Sequence, residues 1–161
     1  MPTSGVLGVL WNDGRVPPYG PGHPHTGLDI FGQGAENTVP VYAVADGVVS
    51  KLHHSRLGGY GMWIDHGGGV TSVYIHLNND TPGTDDGLGF GIAEGSGVGA
   101  SVAAGQVIGY VGDSGNAEYT APHLHFELKD PEGTYVNPYE ALLAAEQGVP
   151  ITPGGVCLAT R

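Results

Sequence analysis

Apolar positions in this chain fall into short runs that alternate with period two, separated by glycine and polar clusters, which is the signature of strands and turns. Val39-Pro40-Val41-Tyr42-Ala43-Val44-Ala45 reads as a strand, and Asp46-Gly47 after it as a hairpin signal. Val48-Val49-Ser50-Lys51-Leu52-His53 is then expected to return antiparallel beside it. Gly58-Gly59 punctuates, and residues 60–66 and 70–77 read as two further strands joined by Gly67-Gly68-Gly69. In the second of these, Val73, Ile75 and Leu77 are expected on one face, with Tyr74 and His76 on the other. Residues 78–100 lose all periodicity, and a loop of that length inside a small domain is as a rule functional or mobile. Alternation resumes at Val102, continues over 106–112, and returns over 123–128 after a polar stretch. Residues 138–147 carry the one good helix pattern: Pro138 at its start, Glu140 in its first turn, an Ala/Leu body and Gly148 beyond its end. Residues 1–22 are rich in Gly and Pro, with Trp11 and Tyr19 as anchors and at most one short strand. The pattern predicts a mainly β, antiparallel, sandwich-like single domain with a short C-terminal helix. It divides into an arm over 1–22, a domain over 23–148 and a tail over 149–161.

Composition sharpens this picture. Gly and Pro together make up about a quarter of the 161 residues, but so do Val, Ile, Leu and Phe, enough to build a core. Five basic residues against 16 acidic ones give a net charge of −11. That balance excludes a phosphate-backbone binder and a polybasic membrane-surface segment. No apolar run approaches the roughly 18 residues of a spanning helix, and no secretory leader is recognisable. The expectation is a monomeric domain excised from a longer exported protein, with a start Met added. The single cysteine, Cys157, rules out an internal disulfide and a Cys-rich zinc site.

Eight histidines outnumber the five basic residues, which directs attention to metal or acid–base chemistry. Three places combine histidine with strand or turn geometry. In His25-Thr26-Gly27-Leu28-Asp29, Pro24 and Gly27 disfavour a helix, so a turn has to bring imidazole and carboxylate together. His76 lies inside Tyr74-Ile75-His76-Leu77. In His123-Leu124-His125 the two imidazoles project from one strand face, leaving Leu124, Phe126 and Leu128 for the core. Two histidines and one aspartate from these places would make a three-ligand zinc site with an open position. No His is followed by Glu, so a zinc helix of the H-E-x-x-H type is absent. His23, His53, His54 and His66 match no pattern and read as turn or solvated residues. The Asp80, Asp85 and Asp86 loop is a weak calcium candidate, lacking EF-hand spacing.

These stretches, with two others, resemble the lysostaphin-type, LytM-like zinc metallopeptidases of family M23. His25-Thr26-Gly27-Leu28-Asp29-Ile30 resembles H-x-G-x-D-[IL], and residues 39–49 resemble the P-V-x-A-x-x-x-G-x-V strand pair. Tyr74-Ile75-His76-Leu77 resembles Y-x-H-L, and residues 105–112 with 122–127 resemble G-Q-x-I-G-x-x-G followed by H-L-H-[FL]-E. The resemblance spans about residues 22–140 in the family's order. It implies an antiparallel sheet with the site in a groove on one face, and hydrolysis of peptide bonds in bacterial peptidoglycan, in the cell wall or periplasm. His25, Asp29 and His125 are implied as ligands of one zinc per chain, which polarises the scissile carbonyl and activates a water. His123 is implied as base or orienter of that water, and His76 as a stabiliser of the oxyanion, with the two roles open to exchange. The acidic stretch over 78–100 departs from the family and is expected to wall or narrow the groove. No inhibitory segment is recognisable before His25, so a mature form is expected. Two competing readings are weaker. A catalytically dead wall-binding or hydrolase-activating relative would have lost ligands, and all five positions are filled. A biotin or lipoyl carrier needs a lysine on a hairpin tip, and neither Lys51 nor Lys129 has one.

Overall fold

A computed structural model describes residues 1–3, 5–8, 25–34 and 38–146. Trp11, Tyr19, His23, Gly148, Cys157 and the tail over 149–161 lie outside the described residues, as do the readings placed on them. The described chain forms β1 (Gly5–Leu7), β2 (Leu28–Gly32), β3 (Pro40–Tyr42), β4 (Gly47–Ser55), β5 (Gly59–Asp65), β6 (Thr71–Leu77), β7 (Ser101–Val102), β8 (Val107–Tyr110), β9 (His123–Lys129) and β10 (Tyr135–Val136). A short 3-10 turn spans Gly115–Ala117, and helix α1 spans Pro138–Glu146. The large sheet runs β1-β2-β9-β6-β5-β4-β7, with β10 also paired to β9, and every pairing is antiparallel. β3 and β8 form a separate two-stranded sheet. The predicted class, mainly β and antiparallel with one short helix, is what the molecule adopts.

The core sits between the two sheets. Leu28, Leu124, Phe126, Met62, Ile64 and Tyr74 of the large sheet pack in one cluster with Val41, Ile108 and Val111. Burying each such side chain is worth about 1.5–3 kcal/mol. Leu124, Phe126 and Leu128 are buried as the alternation over 123–128 predicted. Helix α1 begins as its sequence suggested: Asn137 Oδ1 accepts the Tyr139 amide at 3.1 Å, and Pro138 fills the first helical position. Its Ala141 packs against Val70 and Leu128, and its Leu142 enters the main core.

Two expectations are corrected. Asp46-Gly47 does not close a hairpin. β3 pairs with β8, whereas β4 pairs with β5 and β7, so the chain crosses from one sheet to the other at that point. The crossing is held by Asp46, whose Oδ1 accepts the Ala104 amide and whose carbonyl accepts the His66 ring N–H. The second correction concerns β6. Leu77 lies in the core beside Tyr74, and His76 is not on the Tyr74 face. The register against β5 passes from Met62↔Tyr74 to Tyr60↔Leu77, so β6 carries one extra residue there. His76 adopts φ +60, the left-handed conformation that lets a bulge reverse the alternation. For a non-glycine residue this stores about 1–3 kcal/mol of strain, a cost found mostly at functional positions.

The aperiodic stretch after β6 is folded back against the molecule. The Gly89 and Gly91 amides donate to Asn79 and Asn78 carbonyls, and Ala93 donates to Ile108. Glycine is required at 89, because a Cβ there would meet the Asp80 carbonyl oxygen at 1.8 Å.

Candidate metal centre

β9 stands between β2 and β6, and its register aligns Asp29 with His125 on one side and Ile75 with His125 on the other. Residues opposite one another in neighbouring strands share a face. His123, His125, Glu127 and Asp29 therefore project from the side opposite to Leu124 and Phe126. His25 enters from the turn just before β2. Glycine at 27 lets that turn lie against β9, since a Cβ would meet the Phe126 carbonyl oxygen at 2.4 Å and His125 Nε2 at 2.9 Å.

Three candidate ligand atoms converge. His25 Nε2 is 3.1 Å from Asp29 Oδ1 and 3.0 Å from His125 Nδ1, and His125 Nδ1 is 2.8 Å from Asp29 Oδ1. Their side chains are 5%, 8% and 12% exposed, so water does little to screen them. A tetrahedral ion with bonds of about 2.0 Å sets its ligands about 3.3 Å apart, close to this triangle. The donor set also demands positive charge. His125 Nε2 faces Glu127 Oε1 at 3.2 Å, and a carboxylate there takes an N–H. Neutral His125 then has a bare Nδ1 lone pair turned toward the Asp29 carboxylate, which is repulsive until a proton or a metal ion stands between them. Without metal, burial lowers the proton affinity of His125, but Asp29 and Glu127 outweigh it and lift the ring to about 9. For Asp29, burial pushes the pKa upward and is overcome by hydrogen bonds from His125 and His25, leaving it far below the usual carboxylate range. The residues present fit a divalent metal.

Glu127 was part of the sequence pattern but carried no assigned role. It accepts from Thr26 Oγ1 at 2.6 Å and orients His125, the usual carboxylate–histidine–metal arrangement. Its signal was available, because Glu127 follows His125 by two residues on the same strand face.

His76 and His123 stand next to this triangle. Their ring centroids are 5.0 Å apart, and His76 lies 6.1 Å from His125. His76 Nδ1 donates to the Ser114 carbonyl at 2.8 Å, and His123 Nδ1 donates to the Ala121 carbonyl at 3.0 Å. Carbonyls only accept, so each neutral ring keeps its lone pair on Nε2. Burial, reinforced by His123, lowers the His76 pKa to about 4 despite the Ser114 contact. Ser114 was missed by sequence reasoning. Its hydroxyl also donates to the Leu77 carbonyl and accepts the Tyr60 amide, so one residue fixes the strand ends around His76.

The other histidines among the described residues make separate contacts. His53 and His54 are exposed against Trp63 and Tyr60. His66 is half-buried between the Asp46 carbonyl and Ser72 Oγ, and burial lowers its pKa. The Asp80, Asp85 and Asp86 calcium candidate is not shown by the structure. Asp80 Oδ1 accepts the Gly87 amide, and Asp86 Oδ1 accepts the Thr81 and Leu88 amides, so two of the three carboxylates are spent on the loop's own backbone. Asp85 instead faces Asp113 and Glu118.

Comparison with known proteins gives the family and the fold. Residues 23–138 match the family described as Peptidase family M23. The chain belongs to Peptidase family M23. The chain is 39% identical over 121 residues to a DD-carboxypeptidase/endopeptidase of Neisseria meningitidis, covering 74% of this chain and 23% of that protein. It is 32% identical over 145 residues to an L-Ala–D-Glu endopeptidase of Bacillus subtilis, covering 85% of this chain and 39% of that protein. The chain thus spans well under half the length of these M23 relatives. The fold matches the catalytic domain of lysostaphin from Staphylococcus simulans with a TM-score of 0.65 at 25% identity, covering 86% and 92% of the two chains. It also matches a zinc-containing peptidase from Vibrio cholerae with a TM-score of 0.62 at 26% identity, covering 82% of this chain and 35% of that one.

Proposed function

We propose that this M23 domain is a zinc-dependent endopeptidase that hydrolyses peptide bonds in bacterial peptidoglycan, acting in the cell envelope or outside the cell. The observation that carries this reading is the triangle of His25 Nε2, Asp29 Oδ1 and His125 Nδ1, with two lone-pair imidazoles beside it. The two-nitrogen, one-oxygen donor set suits zinc, and one ion per chain would be held by His25, Asp29 and His125, with Glu127 orienting His125. When bound there, zinc supplies Lewis-acid polarisation of the scissile carbonyl and activation of water. The chain's own residues do the rest. His123 accepts the proton of the attacking water at Nε2 and returns it to the leaving amine. It takes this role because its ring is less buried than that of His76 and so more open to substrate. His76 orients the water through its own Nε2 lone pair. It donates to an oxyanion only after gaining a proton there, a form that burial and His123 oppose. Ser114 and Ala121 hold both rings in the required tautomer. The names of the M23 relatives support peptidoglycan peptides as substrate, and an intact five-residue site disfavours an inactive binding module. No helix among the described residues is long and apolar enough to cross a membrane.

The test is incubation of purified protein with sacculi of directly cross-linked and glycine-bridged types, with and without chelator, followed by mass spectrometry of the released fragments. Soluble products ending at one defined peptide bond, lost with chelator and restored by zinc, are expected. Unchanged sacculi of both types with zinc-loaded protein would remove the proposal.

A further inference from the structure

A second constellation lies away from the three metal-facing residues. One carboxylate oxygen from each of Asp85, Asp113 and Glu118 lies within 4.8 Å of the others. Acidic clusters at a surface are common, but this one contains a buried member. Asp113 is only 3% exposed, and its Oδ1 has no hydrogen-bond partner. A buried carboxylate oxygen without a partner costs a folded protein free energy unless a ligand satisfies it. Asn79 Oδ1 is buried and partnerless as well, on an amide whose Nδ2 donates to Glu118 Oε2 at 3.3 Å. Among the described residues no Lys or Arg forms an ion pair with the cluster. Three carboxylates, with no nitrogen or sulfur ligand among them, select a hard cation over zinc. Irregular loop geometry, with room for water on the exposed Asp85 side, suits calcium better than magnesium, which demands a near-ideal octahedron.

We propose that Asp85, Asp113 and Glu118 bind one calcium ion, which clamps the loop after β6 to the segment over 113–118. That segment includes Ser114, whose carbonyl holds His76, and the neighbouring Gly112, which accepts the His123 amide and donates to the His76 carbonyl. The ion therefore braces the backbone behind both imidazoles. The crowding is visible in Asp113, which burial, Glu118, Asp80 and Asp85 together raise to about 6.

The experiment is equilibrium dialysis of zinc-loaded protein against radioactive calcium, paired with thermal unfolding at constant ionic strength. Expected are one calcium per chain with a dissociation constant on the order of 10⁻⁴ M, and a midpoint several degrees higher in 5 mM calcium than in sodium chloride of equal ionic strength. Asp113→Asn and Glu118→Gln should each weaken binding at least tenfold. Asp113→Asn serves as its own folding control, because losing a crowded charge leaves the calcium-free midpoint at or above that of the parent. Asp29→Asn should leave calcium binding unchanged, which separates this site from the metal centre and from the proposed peptidase activity. Absence of retained calcium at 1 mM, undiminished binding by Asp113→Asn, or an equal midpoint shift with magnesium would each overturn the proposal.

Discussion

The two clusters of candidate ligands in this molecule are built by opposite means. His25, Asp29 and His125 hang from or beside strands whose register is fixed by a shared core, and their candidate ligand atoms stand within 3.1 Å of one another. Asp85, Asp113 and Glu118 come from two loops, stand up to 4.8 Å apart, and leave a buried oxygen without a partner. The difference teaches that the sheet pre-pays the ordering of the first cluster, so that a metal finds its ligands in place. The second cluster, on the proposal above, is ordered in part by the ion it binds.

The sharpest way to break this comparison is to remove a strand-borne ligand. His125→Ala should lose both zinc and hydrolysis, measured by metal content and by fragment release, because two remaining ligands do not hold the ion. His123→Ala should keep about one zinc per chain while hydrolysis falls about 10²–10⁴-fold, the worth of a positioned base. Equal metal loss in the two variants would erase the division between ligand and base on β9. Glu127→Gln is milder: zinc affinity should fall about 10–100-fold by competition titration, with the fold intact.

The smallest effect concerns pH and belongs to the loop cluster. Asp113, facing Glu118, Asp80 and Asp85, is raised to about 6 against an ordinary 3.8. Between these values the folded chain holds more protons than the unfolded one, so stability falls as pH rises through that window. Below it the penalty is absent, and above it the penalty is complete. Thermal midpoints of parent and Asp113→Asn, taken without calcium from pH 3.5 to 7.5, should diverge in favour of the variant across that interval. Parallel curves would show that the carboxylate is not strained.

Legibility in the sequence followed the same division. Alternation over 123–128 placed His123 and His125 on one face and Leu124, Phe126 and Leu128 in the core, because a strand's geometry is local. Resemblance to M23 supplied His25 and Asp29, which no periodicity joins to β9. Asp46-Gly47 announced a turn but could not name the partner strand, since pairing is set by the whole core and β3 left for the other sheet. The extra residue in β6 was equally silent: nothing in Tyr74-Ile75-His76-Leu77 marks a left-handed histidine. Asp113 and Glu118 gave no signal, being separated from Asp85 by about thirty residues of chain with no repeating pattern between them.

That left-handed histidine has a consequence for anyone who reshapes this domain. Glycine or asparagine settles into such a backbone far more comfortably than an imidazole-bearing residue does. A library screened for heat resistance alone will therefore drift toward those residues at position 76 and, on the role proposed for His76, lose hydrolysis. Screens that score durability and hydrolysis together will keep the histidine and find their gains elsewhere in the sheet.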